Sequence, residues 1–143
     1  MIDLQLLEEA VVKQLMPLAK SRKIRPFANP TEYEEPISGL GAVYVSIGNI
    51  DIVSEPNKAF GAIVTKCKVA LDLNLRQRGN YSHKFCYPTV EQIIALLNGF
   101  EYGQGRILFQ SANYSKQESE DKFWHYEISM AYYFDLIARS ECT

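Results

Sequence analysis

Histidine and cysteine are scarce in this chain, and their scarcity narrows its chemistry at once. There are two histidines and three cysteines in 143 residues. His83 and His125 are the side chains whose ordinary pKa lies near neutrality. A serine triad needs one of them beside a nucleophile. Ser82 adjoins His83 only in sequence, and no G-x-S-x-G turn is present. His83-x-x-Cys86 supplies half of a zinc site, with Cys67 and His125 as completions that lack paired spacing. A loop histidine and an inert cysteine are the simpler reading. Cys67, Cys86 and Cys142 are odd in number and contain no C-x-x-C, which argues against a secreted disulfide framework.

Long apolar runs are missing too. None approaches the roughly 18 residues of a membrane-spanning helix. Asp3, Glu8 and Glu9 stand where a signal peptide needs a basic start and an apolar core, so the chain is expected to fold in the cytoplasm. The two sequons at Asn80 and Asn113 then carry no meaning. Gly39-Leu40-Gly41 and Gly103-Gln104-Gly105 precede strands instead of opening a helix, so they read as turns and not as phosphate cradles. Glu118, Glu120 and Asp121 lack calcium-loop spacing and read as a solvated hairpin tip.

Charge is balanced in sum and banded in detail. Fifteen basic and 17 acidic residues leave a net charge of −2, which does not favour a polyanion as partner. Yet residues 13–25 carry Lys13, Lys20, Arg22, Lys23 and Arg25 with no acid, and Glu32, Glu34 and Glu35 follow closely. A second basic band holds Lys66, Lys68, Arg76, Arg78 and Lys84. Solvated faces explain such bands in the simplest way. Opposite-signed surfaces that orient copies of one protein are the sharper explanation. Arg76, Arg78, Tyr81 and Lys84 also interleave basic and aromatic residues, although a loop rim beside a sheet edge fits the negative net charge better than a nucleic-acid site.

What is present suits one globular domain over 1–143: 47% hydrophobic residues, 22% charged and a generous 12% aromatic. Residues 2–18 repeat apolar side chains at three- and four-residue steps and predict an amphipathic helix, with Asp3 near its start and Pro17 kinking or ending it. Residues 21–41, punctuated by Pro26, Pro30 and Pro36, read as a long extended connection. A strand follows at 42–47 and a polar loop at 48–59. Residues 61–77 alternate strictly, with Cys67, Val69, Leu71, Leu73 and Leu75 on one face, and predict a long strand with a bulge near Thr65. A loop covers 78–87. Thr89 is expected to cap a second helix, with Gln92 as capping-box partner and Gly99 ending it. A strand at 106–111, a polar turn at 113–122 and an aromatic strand at 123–137 complete the chain. The fold class is α+β, an antiparallel β-sheet with two helices packed on one face. An aromatic last strand longer than a core needs is a candidate for contacts between subunits.

Five features, taken in order, resemble one family. They are the helix at 2–18, the strand Gly41-Ala42-Val43-Tyr44-Val45, and Leu71 to Arg78 followed by Gly79-Asn80-Tyr81. The helix TVEQIIALLNGF at 89–100 and the closing strands at 106–114 and 124–134 complete the set. The family is the tail terminators of contractile-tailed, Mu-like phages and phage-like particles. The resemblance implies a hexameric ring that caps the tail tube, stops its polymerisation and offers a docking surface to the head connector. It implies no catalytic residue, no metal and no cofactor. The implied partners are further copies of the chain, the tail-tube protein, and the sheath and head-completion proteins, with DNA met only as it passes through the ring. The implied location is the host cytoplasm during assembly and then the virion tail. The banded charges single out Arg22, Lys23, Arg25, Glu34, Glu35, Arg76, Arg78 and Tyr81 as candidate subunit or tube contacts. Two other readings are another tail or baseplate completion protein and, from a different class, a small-molecule-binding ferredoxin-like module. The shortage of histidine weighs against the last.

Overall fold

Asp3 starts the first helix. In the computed structural model, which describes residues 3–28, 41–55, 57–59, 61–78, 83–115 and 123–139, its Oδ1 accepts hydrogen bonds from the amides of Gln5 (3.0 Å) and Leu6 (3.2 Å). Two of the orphan amides of α1 (Leu4–Gln14) are satisfied in this way. The helix expected over 2–18 is in fact two helices. The chain breaks at Leu15 and Met16, and α2 (Pro17–Ser21) restarts with Pro17 in its first turn, where a missing N–H costs nothing. Leu7, Val11, Leu15 and Leu18 still fall on one stripe, fully buried.

Seven strands form one sheet in the order β1-β2-β4-β7-β6-β5, with β3 paired to the start of β4 beyond the end of β2. The α+β class and the single helical layer are as expected. Several elements differ. β1 (Ile24–Ala28) lies inside the stretch read as an extended connection, and it runs parallel to β2 (Gly41–Ile52) at the sheet edge. An edge position is where Pro26, which has no N–H to donate, can sit in a strand. The loop expected over 48–59 is mostly strand. β2 continues to Ile52, and β3 (Asn57–Ala59) follows.

The bulge expected near Thr65 is not there. The register of β4 (Ala62–Arg78) on β7 (Phe123–Arg139) is unbroken from Ala62↔Arg139 to Arg78↔Phe123. The irregularity lies across the ladder in β2, where Ile47↔Leu71 and Ile50↔Val69 leave Gly48 and Asn49 opposite Ala70 alone. A second extra residue, Gln110, sits in β6 (Gly105–Ser115) between Phe109↔Met130 and Ser111↔Ser129. Each bulge inverts the side-chain phase of its strand. Ile50 and Ile52 therefore continue the face begun by Val43, Val45 and Ile47.

Thr89 does not cap the second long helix. A 3-10 turn at His83–Cys86 leads straight into α3 (Tyr87–Leu97), with Cys86 at the cap and no side-chain bond there. Thr89 is buried inside the first turn, and its hydroxyl oxygen has no hydrogen-bond partner. Gln92 turns to α2, accepting from Arg22 Nε and donating to Ser21 Oγ at 3.1 Å. Gly99, with φ of +85°, ends the helix in the left-handed region as expected, and its amide bonds the Ile107 carbonyl at 2.7 Å. The two-residue strand β5 (Glu101–Tyr102), unforeseen in the sequence, pairs with the start of β6.

All three helices cover the same face of the sheet. Ile93 and Leu97 of α3 join the α1 and α2 stripe against Val43, Val45, Val69, Leu71, Leu73, Leu75, Ile107, Ile128 and Met130. Gln14 Nε2 donates to the Leu96 carbonyl at 2.9 Å and ties α1 to α3. Each fully buried aliphatic side chain here contributes roughly 1.5–3 kcal/mol before chain entropy is set against it.

Candidate assembly surface

With the helices on one face, the other face of the sheet carries the even-numbered residues of β4. Cross-strand rows follow from the register. Arg25, Ala42, Arg76, His125 and Ser115 form one row, and Phe27, Tyr44, Asn74, Glu127 and Asn113 form the next. Among the described residues no helix packs on this side.

At the β1 end of these rows the side chains make a ladder. The Arg25 guanidinium lies over the Phe27 ring, 5.5 Å from its centroid. Phe27 stacks on Tyr44 at 5.7 Å with an interplanar angle of 22°. Arg76 lies over Tyr44 at 5.4 Å, and Arg78 over Phe123 at 4.9 Å. Stacking on a ring face holds a guanidinium flat. Arg25 and Arg78 are exposed. The one ion pair between described residues, Arg106 with Glu101 at 3.8 Å, involves neither of them.

Of the residues singled out by charge, the fold thus brings Arg25, Arg76 and Arg78 onto one surface. Arg22 and Lys23 are elsewhere. Arg22 closes α2 on the helical side, bonded to Gln92, and Lys23 is exposed with φ of +56° at the turn into β1. Glu34, Glu35 and Tyr81 lie outside the described residues. Sequence reasoning missed the rings, Phe27, Tyr44 and Phe123. The spacing Arg25-x-Phe27 puts a guanidinium and a ring on one face once the segment is recognised as a strand.

Sequence similarity adds nothing to this picture: no protein-family model matches the chain, and neither does any curated protein. Fold similarity does. A chain of a virion has this fold. The solved structure is "Virion of native gene transfer agent (GTA) particle", and the superposition covers 91% of this chain and 95% of that one, with a TM-score of 0.54 and 15% sequence identity. At that identity the likeness is one of fold.

A second surface lies at the far end of the long strands. β4 and β7, 17 residues each, span about 56 Å, while the 11 residues of α1 reach only about 16 Å. Beyond the helical layer, Ile50, Ile52 (67% exposed) and Leu136, which point to the same side of the sheet, are left to solvent. Exposed aliphatics gathered at one place mark contact surfaces. They extend the aromatic last strand that the sequence already offered for subunit contacts.

The reactive groups are withdrawn. Cys67 and Cys86 are buried, and burial pushes the Cys86 thiol up to about 11. Burial, with Tyr87 and Cys86 nearby, pushes the Tyr126 hydroxyl up to about 12. The Tyr132 hydroxyl, also raised by burial, donates to the Tyr102 carbonyl. His125 is buried in β7, and His83 belongs to the 3-10 turn. Among the described residues no three His, Cys, Asp or Glu side chains converge as metal ligands, and no helix is long and apolar enough to cross a membrane.

Proposed function

We propose that this chain is a structural component of a phage-like particle and, within it, the tail terminator. In this role copies of the chain form a ring, most simply a hexamer, on the end of the tail tube. The ring stops further polymerisation and presents a docking surface to the head connector. The observation that supports the reading is a fold likeness, over nearly the whole of both chains, to a chain of a gene transfer agent virion. The order of elements that resembles contractile-tail terminators supports the narrower assignment.

The mechanism is one of surfaces, with no bond made or broken. A ring closes when one patch of a subunit binds a different patch on the next and the rotation returns to its start. This chain has two dissimilar patches to offer, the arginine ladder and the apolar strand ends. Charge orients the approach, and apolar area supplies affinity. Closure is expected to be weak in isolation and complete on a tube end, where neighbours are held at high effective concentration.

The test is the position of a gold-labelled copy on assembled tails, read by electron microscopy together with tails made without the protein. The reading expects label at one extremity and overlong or unfinished tubes in its absence. Label along the whole tube sinks it, and so do tubes of normal length that lack only fibres or heads; the latter result assigns the chain to another completion step. Mass measurement with and without tubes adds a second check, against which a tight dimer in both conditions would count.

A further inference from the structure

We propose that copies of this chain join edge to edge, residues 50–52 of β2 pairing with residues 111–113 of β6 in the next copy. This rests on the ring reading above and names the contact that closes the ring. The hydrogen-bond ladder shows which groups are on offer. Val53 donates to the Lys66 carbonyl at 2.7 Å, so Val53 and Lys66 are a bonded pair. Bonded and non-bonded pairs alternate along an antiparallel ladder. Ile52 opposite Cys67 and Ile50 opposite Val69 therefore turn their N–H and C=O away from β4, towards the outer margin. β1 covers that margin only as far as Val45.

The opposite margin of the sheet is covered as far as Phe109. β5 pairs with Gly105 and Arg106, Ile107 bonds Phe100 and Gly99, and the Phe109 amide donates to Asn98 Oδ1 at 2.9 Å. Ile107, opposite Tyr132, thus bonds outwards. β7 has no irregularity of its own against β4, so the same phase carries from Tyr132 to Ile128 and leaves its partner Ala112 bonding outwards too. Among the described residues no strand pairs with either stretch from outside. Neither stretch contains a proline or a lysine, the residues that blunt exposed edges, whereas the edge strand β1 carries Pro26.

The two edges fit each other. β2, β4, β7 and β6 are antiparallel throughout, so the two margins run in opposite directions. A second copy set alongside in the same orientation brings its β6 antiparallel to this β2. Ile50, Ile52 and Ala112 all carry their side chains on the helical side, so the pairing keeps both helical layers on one face. On the other face Asp51 comes opposite Asn113 when Ala112 meets Ile52, and opposite Ser111 when it meets Ile50. Either side chain can donate to the carboxylate. Ala112 is level with Leu73 of β4, Ile50 with Val69 and Ile52 with Cys67, an offset of four or six residues across four strands. Such an offset tilts the strands by about 35–45°, the range that lets a sheet close on itself. Because two different edges meet, the contact is head to tail, as a ring requires.

Hydrogen exchange, read residue by residue, tests this on the unmodified chain. The Ile50, Ile52 and Ala112 amides should exchange fast in dilute solution and slow by roughly tenfold or more as the protein is concentrated. The Asp51 and Asn113 amides, bonded within the sheet, should stay slow throughout. Proline variants then identify the partner. Ile52→Pro removes one outward N–H from β2 and Ala112→Pro one from β6, and proline is tolerated where the N–H faces out from an edge. In sedimentation equilibrium each variant alone should associate roughly tenfold more weakly than wild type, the effect of one hydrogen bond left unmade. An equimolar mixture should pair with wild-type strength and stop at two copies, because each variant keeps the edge that the other has lost. Ile52→Ala retains the amide and should lose less than Ile52→Pro. Circular dichroism melting establishes that the variants fold, and if a proline variant does not, the exchange experiment on the wild type decides alone. Unchanged exchange at Ile52 and Ala112, wild-type association by either proline variant, a mixture that fails to pair or grows beyond pairs, or equal losses from Ile52→Pro and Ile52→Ala overturns the proposal. So does a wild type that stays monomeric and protects these amides only when tail tubes are added, which makes the tube the partner of the edges. The labelled-copy experiment on tails stands or falls separately, because it does not depend on which residues join the subunits.

Discussion

Replacing Gly41 with alanine should cost this fold about 3 kcal/mol or more, and the reason is local. Gly41 opens β2 between β1 and β4, paired with Ile24 on one side and Gln77 on the other. Its φ is +154°, and a Cβ there would overlap the Arg76 carbonyl oxygen and lie 2.9 Å from the Gln77 Cα. Both are backbone atoms inside a ladder, so neither can swing aside. Conformational strain at a glycine-only backbone geometry accounts for about 1–3 kcal/mol. The backbone shift needed to relieve the overlap adds about 1–3 kcal/mol. At an unfolding entropy of about 2.1 cal/mol/K per residue, 3 kcal/mol lowers the melting temperature by roughly 10 °C. Gly61→Ala provides the control: its φ of +75° is also left-handed, but a Cβ there meets nothing within 4 Å. That variant should lose only about 1–2 kcal/mol, or roughly 3–7 °C. Differential scanning calorimetry of both variants decides. Equal losses, or a Gly41→Ala protein melting within about 3 °C of wild type, would show that the close approach of the strands is not as described.

Ile93, fully buried between α3 and the sheet, should cost about 2–5 kcal/mol when cut to alanine. The half-buried Ile94 should cost less, and urea midpoints of the two variants report the order. In alkali the native state holds protons on Cys86 up to about pH 11 and on Tyr126 up to about pH 12, above their ordinary values of 9.0 and 10.0. Between those limits the folded chain binds more protons than the unfolded one, so stability is intact below about pH 9 and declines as pH rises towards 12. The decline should flatten in a Cys86→Ala, Tyr126→Phe variant, as followed by urea denaturation, and an unchanged slope would refute the assignment. In a Cys142→Ser background the two buried thiols should react with Ellman's reagent only as fast as the chain unfolds. Rapid labelling of the native protein would contradict their burial.

The fold was legible wherever periodicity ran unbroken. The α1 stripe from Leu7 to Leu18 and the alternation of β4 from Cys67 to Leu75 both appear where the pattern placed them. It failed where one residue broke the phase. Beyond Gly48 and Asn49 the apolar positions of β2 switch parity, so Ile50 and Ile52 look like strays in a polar loop, although they continue one face. Gln110 has the same effect in β6 and hides its extension to Ser115. β1 was missed for a different reason: five residues with a central proline carry no alternation signal, and only the parallel partner strand makes a strand of them. At Thr89 the capping sequence was present, but the helix already begins at Tyr87, with Pro88 in its first turn, and the Thr89 hydroxyl is buried as a consequence.

The candidate surface was half legible, because charge bands are visible in sequence and aromatic supports from distant strands are not. Arg25, Tyr44, Arg76 and Phe123 share one face only after three strand registers are fixed. The same separation gives a means of weighing the two patches against each other. A contact made through the exposed guanidinium groups of Arg25 and Arg78 is screened by salt, since the Debye length falls from about 14 Å at 0.05 M to about 4 Å at 0.5 M. A contact made through Ile50, Ile52 and Leu136 is not, and sulfate strengthens it. Self-association dominated by the ladder should therefore weaken as sodium chloride rises over that range, and the Arg25→Glu, Arg78→Glu chain should lose the dependence. If association instead holds or grows with salt, the strand ends carry the affinity and the ladder only orients the approach. A ring contact that used both would show the ladder in its association rate and the strand ends in its lifetime, because charge steers encounter while buried apolar area slows release.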